Sequence, residues 1–379
     1  SAPASFSFPG VRGAVAARDL NGDGWPDLVS VGDSLFVAKA TSPGVWGAPV
    51  SWPLSAPTSS LNHFLVAFGQ FGGDARPDVA TASNATSVLI NDGTGAFPAF
   101  ITSTITPITV AQVQAGDVTG DGRPDLLLAD APGPGINGRA RLCPGLANGT
   151  FAAQSGAVFM SGSALAVARV DGDAFADVAV GREVFGSTDA GFIDVFPGTA
   201  AGTLSGATAV PLPGQPRGAW LLDVAGSSAI DLVASTNASL QLFVGNGNGT
   251  FQPGQAVPSA GFVDQVFVSD FNFDGRKDLA SVNGQVNVHL AQPSGTFSSK
   301  VVTSSFTGRV AFGDVTGDGR DDFIVTTSTG SRVWSNEGNA TFSPGTTIAA
   351  MKGRLELVDV DRDGKLDVVA FNSNVEVWR

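Results

Sequence analysis

Five segments of this chain place oxygen-bearing side chains at alternate positions and close with a further aspartate. They are Asp19, Asn21, Asp23 and Asp27; Asp117, Thr119, Asp121 and Asp125; Asp270, Asn272, Asp274 and Asp278; Asp314, Thr316, Asp318 and Asp322; and Asp359, Asp361, Asp363 and Asp367. Oxygens at this spacing can converge on one hard cation, and Ca2+ is the ion that such a set suits. A glycine follows the third ligand in every copy (Gly24, Gly122, Gly275, Gly319, Gly364), where the chain must turn sharply for the ligands to meet. A helical calcium hand needs Glu at its twelfth position, and here that position holds Ser30, Leu128, Ser281, Val325 and Ala370. Each loop runs instead into a β-type segment such as Phe323-Ile-Val-Thr-Thr-Ser. The pattern is therefore a nine-residue calcium loop between two strands. A solvated Asp/Gly turn is the alternative for any single copy, and fivefold repetition favours calcium.

Three depleted copies fill the intervals. Gln70 to Asp78 keeps only Asp74 and Asp78; Arg169 to Asp177 has Arg in place of the first Asp; Asp223 to Asp231 keeps its ends and loses its middle. First positions then fall at 19, 70, 117, 169, 223, 270, 314 and 359. A unit of ~48 residues is the size of a propeller blade with four short strands. Within a unit, Arg309–Asp314 leads into the loop, Asp322–Thr327 follows it, and a third strand begins near Ser331–Trp334. A Gly/Asn turn then leads through a Thr-Phe or Ala-Phe pair (Phe97, Phe151, Phe251, Phe297, Phe342) into a fourth strand, with the Phe filling space between blades. The last unit stops one strand short, while Ser5-Phe-Ser-Phe8 precedes the first unit. The N-terminal strand is thus expected to complete the last blade, closing the ring and hiding its edges. The expectation is an all-β propeller of eight four-stranded blades spanning residues 1–379 as one domain; seven blades follow if one depleted copy is not a full blade.

Charge points the same way. The net charge is −13, and 16 of the 34 acidic residues are candidate loop ligands. Five bound Ca2+ would bring that balance to about −3, so the acidity belongs to cation sites. No basic stripe is available to meet phosphates, which argues against nucleic acid. No apolar run is long enough to span a bilayer. The single cysteine, Cys143, excludes an intrachain disulfide. The start of the chain lacks a basic n-region and apolar h-region, so a leader has been removed or none existed. Loops with few ligands suit the millimolar calcium outside cells, and five N-x-S/T sequons at Asn84, Asn148, Asn237, Asn248 and Asn339 are compatible with secretion.

Other chemistry is thinner. Aligned on the Thr-Phe turn, His289 and Cys143 occupy the position that Trp334 and Phe243 fill elsewhere, so both are expected to pack rather than react. His63 opens a first strand with no evident partner. Carboxylate pairs for glycoside hydrolysis are plentiful, yet nearly all of the pairs are claimed by the loops, where calcium would keep them ionised and unfit as general acids. Tyr is absent and Lys is scarce, which disfavours a polysaccharide lyase. Sugar faces stack on aromatic rings, and Trp25, Trp46 and Trp52 are the ligand candidates, Trp46 and Trp52 being expected at a rim around the fourth strand of the first unit. Trp334 and Trp378 read as packing, and Trp220 lies in a first strand near the central channel.

The loop D-x-[DNT]-x-D-G-x-x-D between strands, with G-x-G-T-F downstream, resembles the FG-GAP/VCBS repeat family over essentially the whole chain. That family includes the propeller of integrin α subunits and the Psathyrella velutina-type fungal lectin. The resemblance implies calcium ligation by the side chains above together with the backbone carbonyls of Trp25, Arg123, Arg276, Arg320 and Lys365. The copies starting at Gln70, Arg169 and Asp223 depart from the pattern, and no calcium or weak binding is expected there. Arg169 could set its guanidinium in the cation's place. The implied function is glycan binding or adhesion by a secreted, calcium-stabilised propeller whose partners are glycans, glycoproteins or another protein. An extracellular polysaccharide-active enzyme and an interaction scaffold are the alternatives.

Overall fold

The computed structural model describes residues 4–6, 11–32, 34–54, 65–82, 86–103, 110–130, 138–152, 155–160, 164–184, 190–258, 262–303, 305–371 and 375–379. His63, Asn84 and Phe8 lie outside the described residues. Among those described, the strands form eight four-stranded antiparallel sheets and one two-stranded ribbon. The eight sheets are blades arranged in a ring, as the repeat spacing predicts. In blade 7 the strands are Gly308–Gly313, Asp322–Thr327, Gly330–Asn336 and Phe342–Ile348, paired in that order. Blade 8 takes Arg354–Val358, Asp367–Phe371 and Val375–Trp378 from the end of the chain and Ala4–Phe6 from its start. The closing strand is antiparallel, with Ala4 opposite Val377 and Phe6 opposite Val375.

Sequence decides which strand is inner and which outer. First strands of neighbouring blades lie beside one another around the axis. Second strands are covered on both faces by adjacent blades and, after the Asp that opens each, are mostly apolar or small; Asp231–Thr236 and Asp278–Val282 are buried at every residue. Fourth strands face solvent, as in Phe297–Val301 with Lys300 and three hydroxyl or aliphatic neighbours exposed. The core is a ring of clusters, each shared by two blades. Leu28 and Ala38 of blade 1 pack with Val369 and Val377 of blade 8, and Val118 and Leu127 of blade 3 with Val178 and Phe196 of blade 4. The turn Phe of one blade sits against the preceding blade: Phe97 is edge-on to Trp52 at 5.4 Å, Phe151 to Phe71 at 5.7 Å, and Phe342 to Phe271 at 6.2 Å.

Blade 1 departs from the common plan. Between its third and fourth strands it carries a ribbon, Ala40–Ser42 with Val45–Trp46. The ribbon reaches across the seam: Gly44 N–H donates to the Val360 carbonyl at 3.3 Å, and the Arg379 guanidinium donates to the Gly44 carbonyl. Further inward, Glu356 of blade 8 accepts the Ala17 N–H at 2.9 Å and pairs with Arg18 at 2.9 Å. The seam where the two ends of the chain meet thus has polar fastenings from axis to rim, beyond the strand pairing itself.

Candidate metal centres

Every calcium-type loop joins the first strand of its blade to the second, so all eight open on one face of the ring. The glycine at position six has positive φ in each full copy, from +83° at Gly122 to +89° at Gly24, a region open to glycine and strained for other residues. Position four is left-handed too, a feature the spacing did not reveal. Gly22, Gly120 and Gly317 hold it in blades 1, 3 and 7, whereas blades 6 and 8 place Phe273 (φ 62°) and Arg362 (φ 59°) there. Arg362 leans over the ring of Trp25 in the next blade, 4.9 Å from its centroid.

Within the loops, carboxylates at positions one and five organise backbone donors. Asp19 Oδ2 accepts the Gly24 N–H at 2.7 Å, and Asp314 Oδ2 the Gly319 N–H at 2.7 Å. Asp23 Oδ1 accepts from Trp25 N–H at 2.7 Å, and Asp318 Oδ1 from Arg320 N–H at 3.0 Å. The fifth-position carboxylates are exposed and the first-position ones half-buried, so one face of each loop is open to an ion from solvent. Among the described residues, two groups of three carboxylates bring oxygens within 4.8 Å of one another: Asp359, Asp361 and Asp363 in blade 8, and Asp171, Asp173 and Asp177 in blade 4. The blade 4 group belongs to a depleted copy, whose remaining carboxylates converge although Arg169 stands at its first position and is exposed.

The ninth-position aspartate plays a second part that sequence reasoning missed. Asp27, Asp78, Asp125, Asp177, Asp231, Asp278, Asp322 and Asp367 each begin the second strand and are at most 5% exposed. One carboxylate oxygen accepts a backbone N–H from the start of the loop in all eight blades, for example from Phe271 (3.0 Å), Val224 (2.8 Å) and Gly72 (2.6 Å). In blades 1 to 7 the other oxygen accepts the N–H of a residue just beyond the third strand or at its end. Ala40, Asn91, Gly145, Gly198, Gly245, Ala291 and Asn336 are these donors, at 2.8 to 2.9 Å. One buried carboxylate therefore ties the loop to the far side of its own blade. In the three depleted copies Asp78, Asp177 and Asp231 make the same tie.

Blade 5 carries an ion pair at the first position of its loop. Lys277, from the loop of blade 6, sets its Nζ 2.9 Å from Asp223 Oδ2 and 3.0 Å from the Asp223 carbonyl. The hydrogen bond from Lys277 holds the Asp223 carboxyl below its ordinary range, against the effect of burial.

Burial raises Asp278 and Asp367 to about 6 from 3.8, their backbone donors opposing it. Burial also raises Asp27, Asp78, Asp125, Asp177 and Asp322. A carboxyl raised in the folded state holds its proton more tightly there. The stability this confers is present below about pH 4 and is lost as pH rises through about 6. His289, lowered by burial to about 4, works in the opposite sense across the same window and is outnumbered. In EDTA the melting temperature is therefore expected to fall between pH 5 and pH 7.5. With calcium it is expected to rise, because protons compete with the metal. Thermal scans at the two pH values check both signs.

The other candidates fall as follows. Trp46 is buried, its Nε1–H donating to the Pro26 carbonyl at 2.9 Å within the core shared by blades 8 and 1, so it offers no ring face to solvent. The rim position expected for it is taken over by the inserted ribbon, which turns the side chain inward. Trp25 is half-buried beneath Arg362, and Trp52 is half-buried against Phe97. His289 is buried, with Nε2 2.7 Å from Ser281 Oγ and Nδ1 2.5 Å from Ser299 Oγ. Cys143 is buried and its thiol is pushed up to about 12 by desolvation, so it is no nucleophile at neutral pH.

With fold and loops in place, the family follows. The chain belongs to the FG-GAP-like repeat family, whose model matches residues 71–128, 223–281, 270–325 and 314–370, together more than half of the chain. No curated protein matches it in sequence. Among solved structures it is similar to an Agrocybe aegerita lectin described by its specific recognition of non-reducing terminal N-acetylglucosamine. That match has 18% identity and a TM-score of 0.55, covering 88% of this chain and 93% of the lectin. It is also similar to Sqt1 of Saccharomyces cerevisiae, with 11% identity and a TM-score of 0.62, covering 99% and 97% of the two chains. At these identities the likeness is one of fold. Among the described residues, no helix is long and apolar enough to cross a membrane.

Proposed function

We propose that residues 1–379 form a single secreted, calcium-stabilised propeller that binds carbohydrate on the face carrying the loops, its partners being glycans or glycoproteins. The metal would be held by the first, third, fifth and ninth side chains of the five full loops and by the carbonyls of Trp25, Arg123, Arg276, Arg320 and Lys365. Calcium's part is structural: it would pin the turn between two strands, leaving sugar contacts to side chains between blades.

The observation that carries the glycan reading is a cleft of about 470 Å3 between blades 5 and 6 on the loop face. Phe297 supplies an aromatic wall, Gln255 and Gln292 supply amides, and the Asp223–Lys277 pair supplies a fixed charge. A flat apolar surface beside groups that both donate and accept is what a pyranose requires, with its apolar ring face and its rim of hydroxyls. The Agrocybe lectin, which shares the fold, supports the same reading. The burial of His289 and Cys143 and the ties on the loop carboxylates weigh against an enzyme.

A glycan array probed with added calcium and again in EDTA tests this, with unfolding followed in both. Binding in calcium that disappears together with the fold in EDTA is expected. Phe297→Ala and Gln292→Ala are each expected to weaken binding about tenfold, the scale of one lost stacking or hydrogen-bonding contact. A blank array from a protein that still unfolds later in calcium than in EDTA contradicts the glycan reading and leaves the fold intact.

A further inference from the structure

We propose that the groove between blades 6 and 7, on the face opposite the calcium loops, is a second ligand site that takes a small polyhydroxylated carboxylate, a sugar acid in size. The groove encloses about 210 Å3. Hydroxyls dominate its wall: Thr303, Thr327, Thr329, Ser331 and Thr347 line it. Among the described lining residues Arg332 supplies the single charge, and Phe306 and Trp334 supply apolar surface. It is separate from the cleft between blades 5 and 6 and does not depend on that cleft's function.

The wall is organised rather than merely polar. Thr327 Oγ1 donates to the Gly330 carbonyl at 2.9 Å and lies 2.9 Å from Thr329 Oγ1. Ser331 Oγ is 2.8 Å from the Met351 carbonyl and 3.0 Å from Thr326 Oγ1. Thr303 Oγ1 accepts the Val286 N–H at 2.9 Å. Arg332 donates from Nε (3.2 Å) and Nη2 (2.9 Å) to Thr347 Oγ1, which orients the guanidinium, and among the described residues no carboxylate pairs with it. A planar guanidinium held this way matches a carboxylate. Trp334 is braced by Phe323, the two rings lying 9° apart with centroids at 5.7 Å. It can therefore carry an apolar ligand face without moving.

The charge distribution selects an anion. All the loop carboxylates open on the other face of the ring. Among the described residues that line the groove, none is acidic. Hydroxyls that both donate and accept suit a ligand that does the same, so the carboxylate should come with several hydroxyl groups.

Saturation-transfer NMR on the whole chain with calcium tests the site, with D-glucuronate and D-gluconate compared with glucose and acetate. Both sugar acids are expected to bind at least about tenfold more tightly than glucose or acetate, the value of one charge-assisted contact. Arg332→Gln should remove that preference without shifting the melting temperature, since Arg332 is exposed. Gln292→Ala, in the other cleft, should leave it unchanged. Glucuronate binding that survives Arg332→Gln, equal binding of glucose, or no binding of either acid at millimolar concentration overturns the proposal.

Discussion

Replacing Asp231 with alanine is expected to lower stability by about 4 kcal/mol whether or not calcium is present, because three backbone donors lose their acceptor inside the protein. Asp231 is fully buried, and its carboxylate takes the N–H groups of Val224 (2.8 Å), Ala225 (2.7 Å) and Gly245 (2.8 Å). It lies in the loop whose middle ligands are gone and whose first aspartate already holds Lys277. Any loss on substitution therefore reports the tie between loop and third strand rather than metal binding. Asp231→Asn should recover only part of the loss, since its amide nitrogen would face a donor. Chemical denaturation of the two variants in calcium and in EDTA reads the result. A calcium-dependent loss would contradict the structural role assigned to the ninth position.

Calcium itself should have the larger effect. At 10 mM calcium, a loop with a dissociation constant of about 0.1 mM gains roughly 2.7 kcal/mol by mass action. Five such loops together would stabilise the fold by about 13 kcal/mol. A chain of 379 residues unfolds with an entropy near 0.8 kcal/mol/K, so the melting temperature should rise by about 15 °C between EDTA and 10 mM calcium. Asp314→Ala should remove about one fifth of that rise and leave the melting temperature in EDTA almost unchanged, because Asp314 organises its own loop and little else. Differential scanning fluorimetry across a calcium titration measures both; a shift of under ~3 °C in the parent protein would refute the mass-action account.

Blade number, strand order and the closing strand were legible in the sequence because each rests on a period repeated eight times. Those repeats carry their own registration marks: an aspartate opening every second strand and, in five of the eight units, a Phe after the Gly/Asn turn. The double duty of the ninth aspartate was not legible. Its oxygens meet donors at the loop start and, 13 to 21 residues onward, beyond the third strand, and only the folded blade brings those together. Position two of the loop offered a signal that spacing alone passed over. It is apolar in every copy, and Leu20, Phe71, Val118, Val170, Val224, Phe271 and Val360 are buried against the next blade. Trp46 looked like a rim residue because the ribbon inserted in blade 1 has no counterpart in the other repeats. Lys277 was invisible as a partner for Asp223 because the two are 54 positions apart and belong to different blades.

The most direct test of the account is a count of metal. After equilibrium dialysis against millimolar calcium, calcium bound per chain should be about five, with a sixth allowed by the convergent carboxylates Asp171, Asp173 and Asp177 of blade 4. The combined substitution of Asp19, Asp117, Asp270, Asp314 and Asp359 by alanine should bring that count to one or none. A parent chain that is folded and retains no calcium would contradict the reading of the five loops as cation sites.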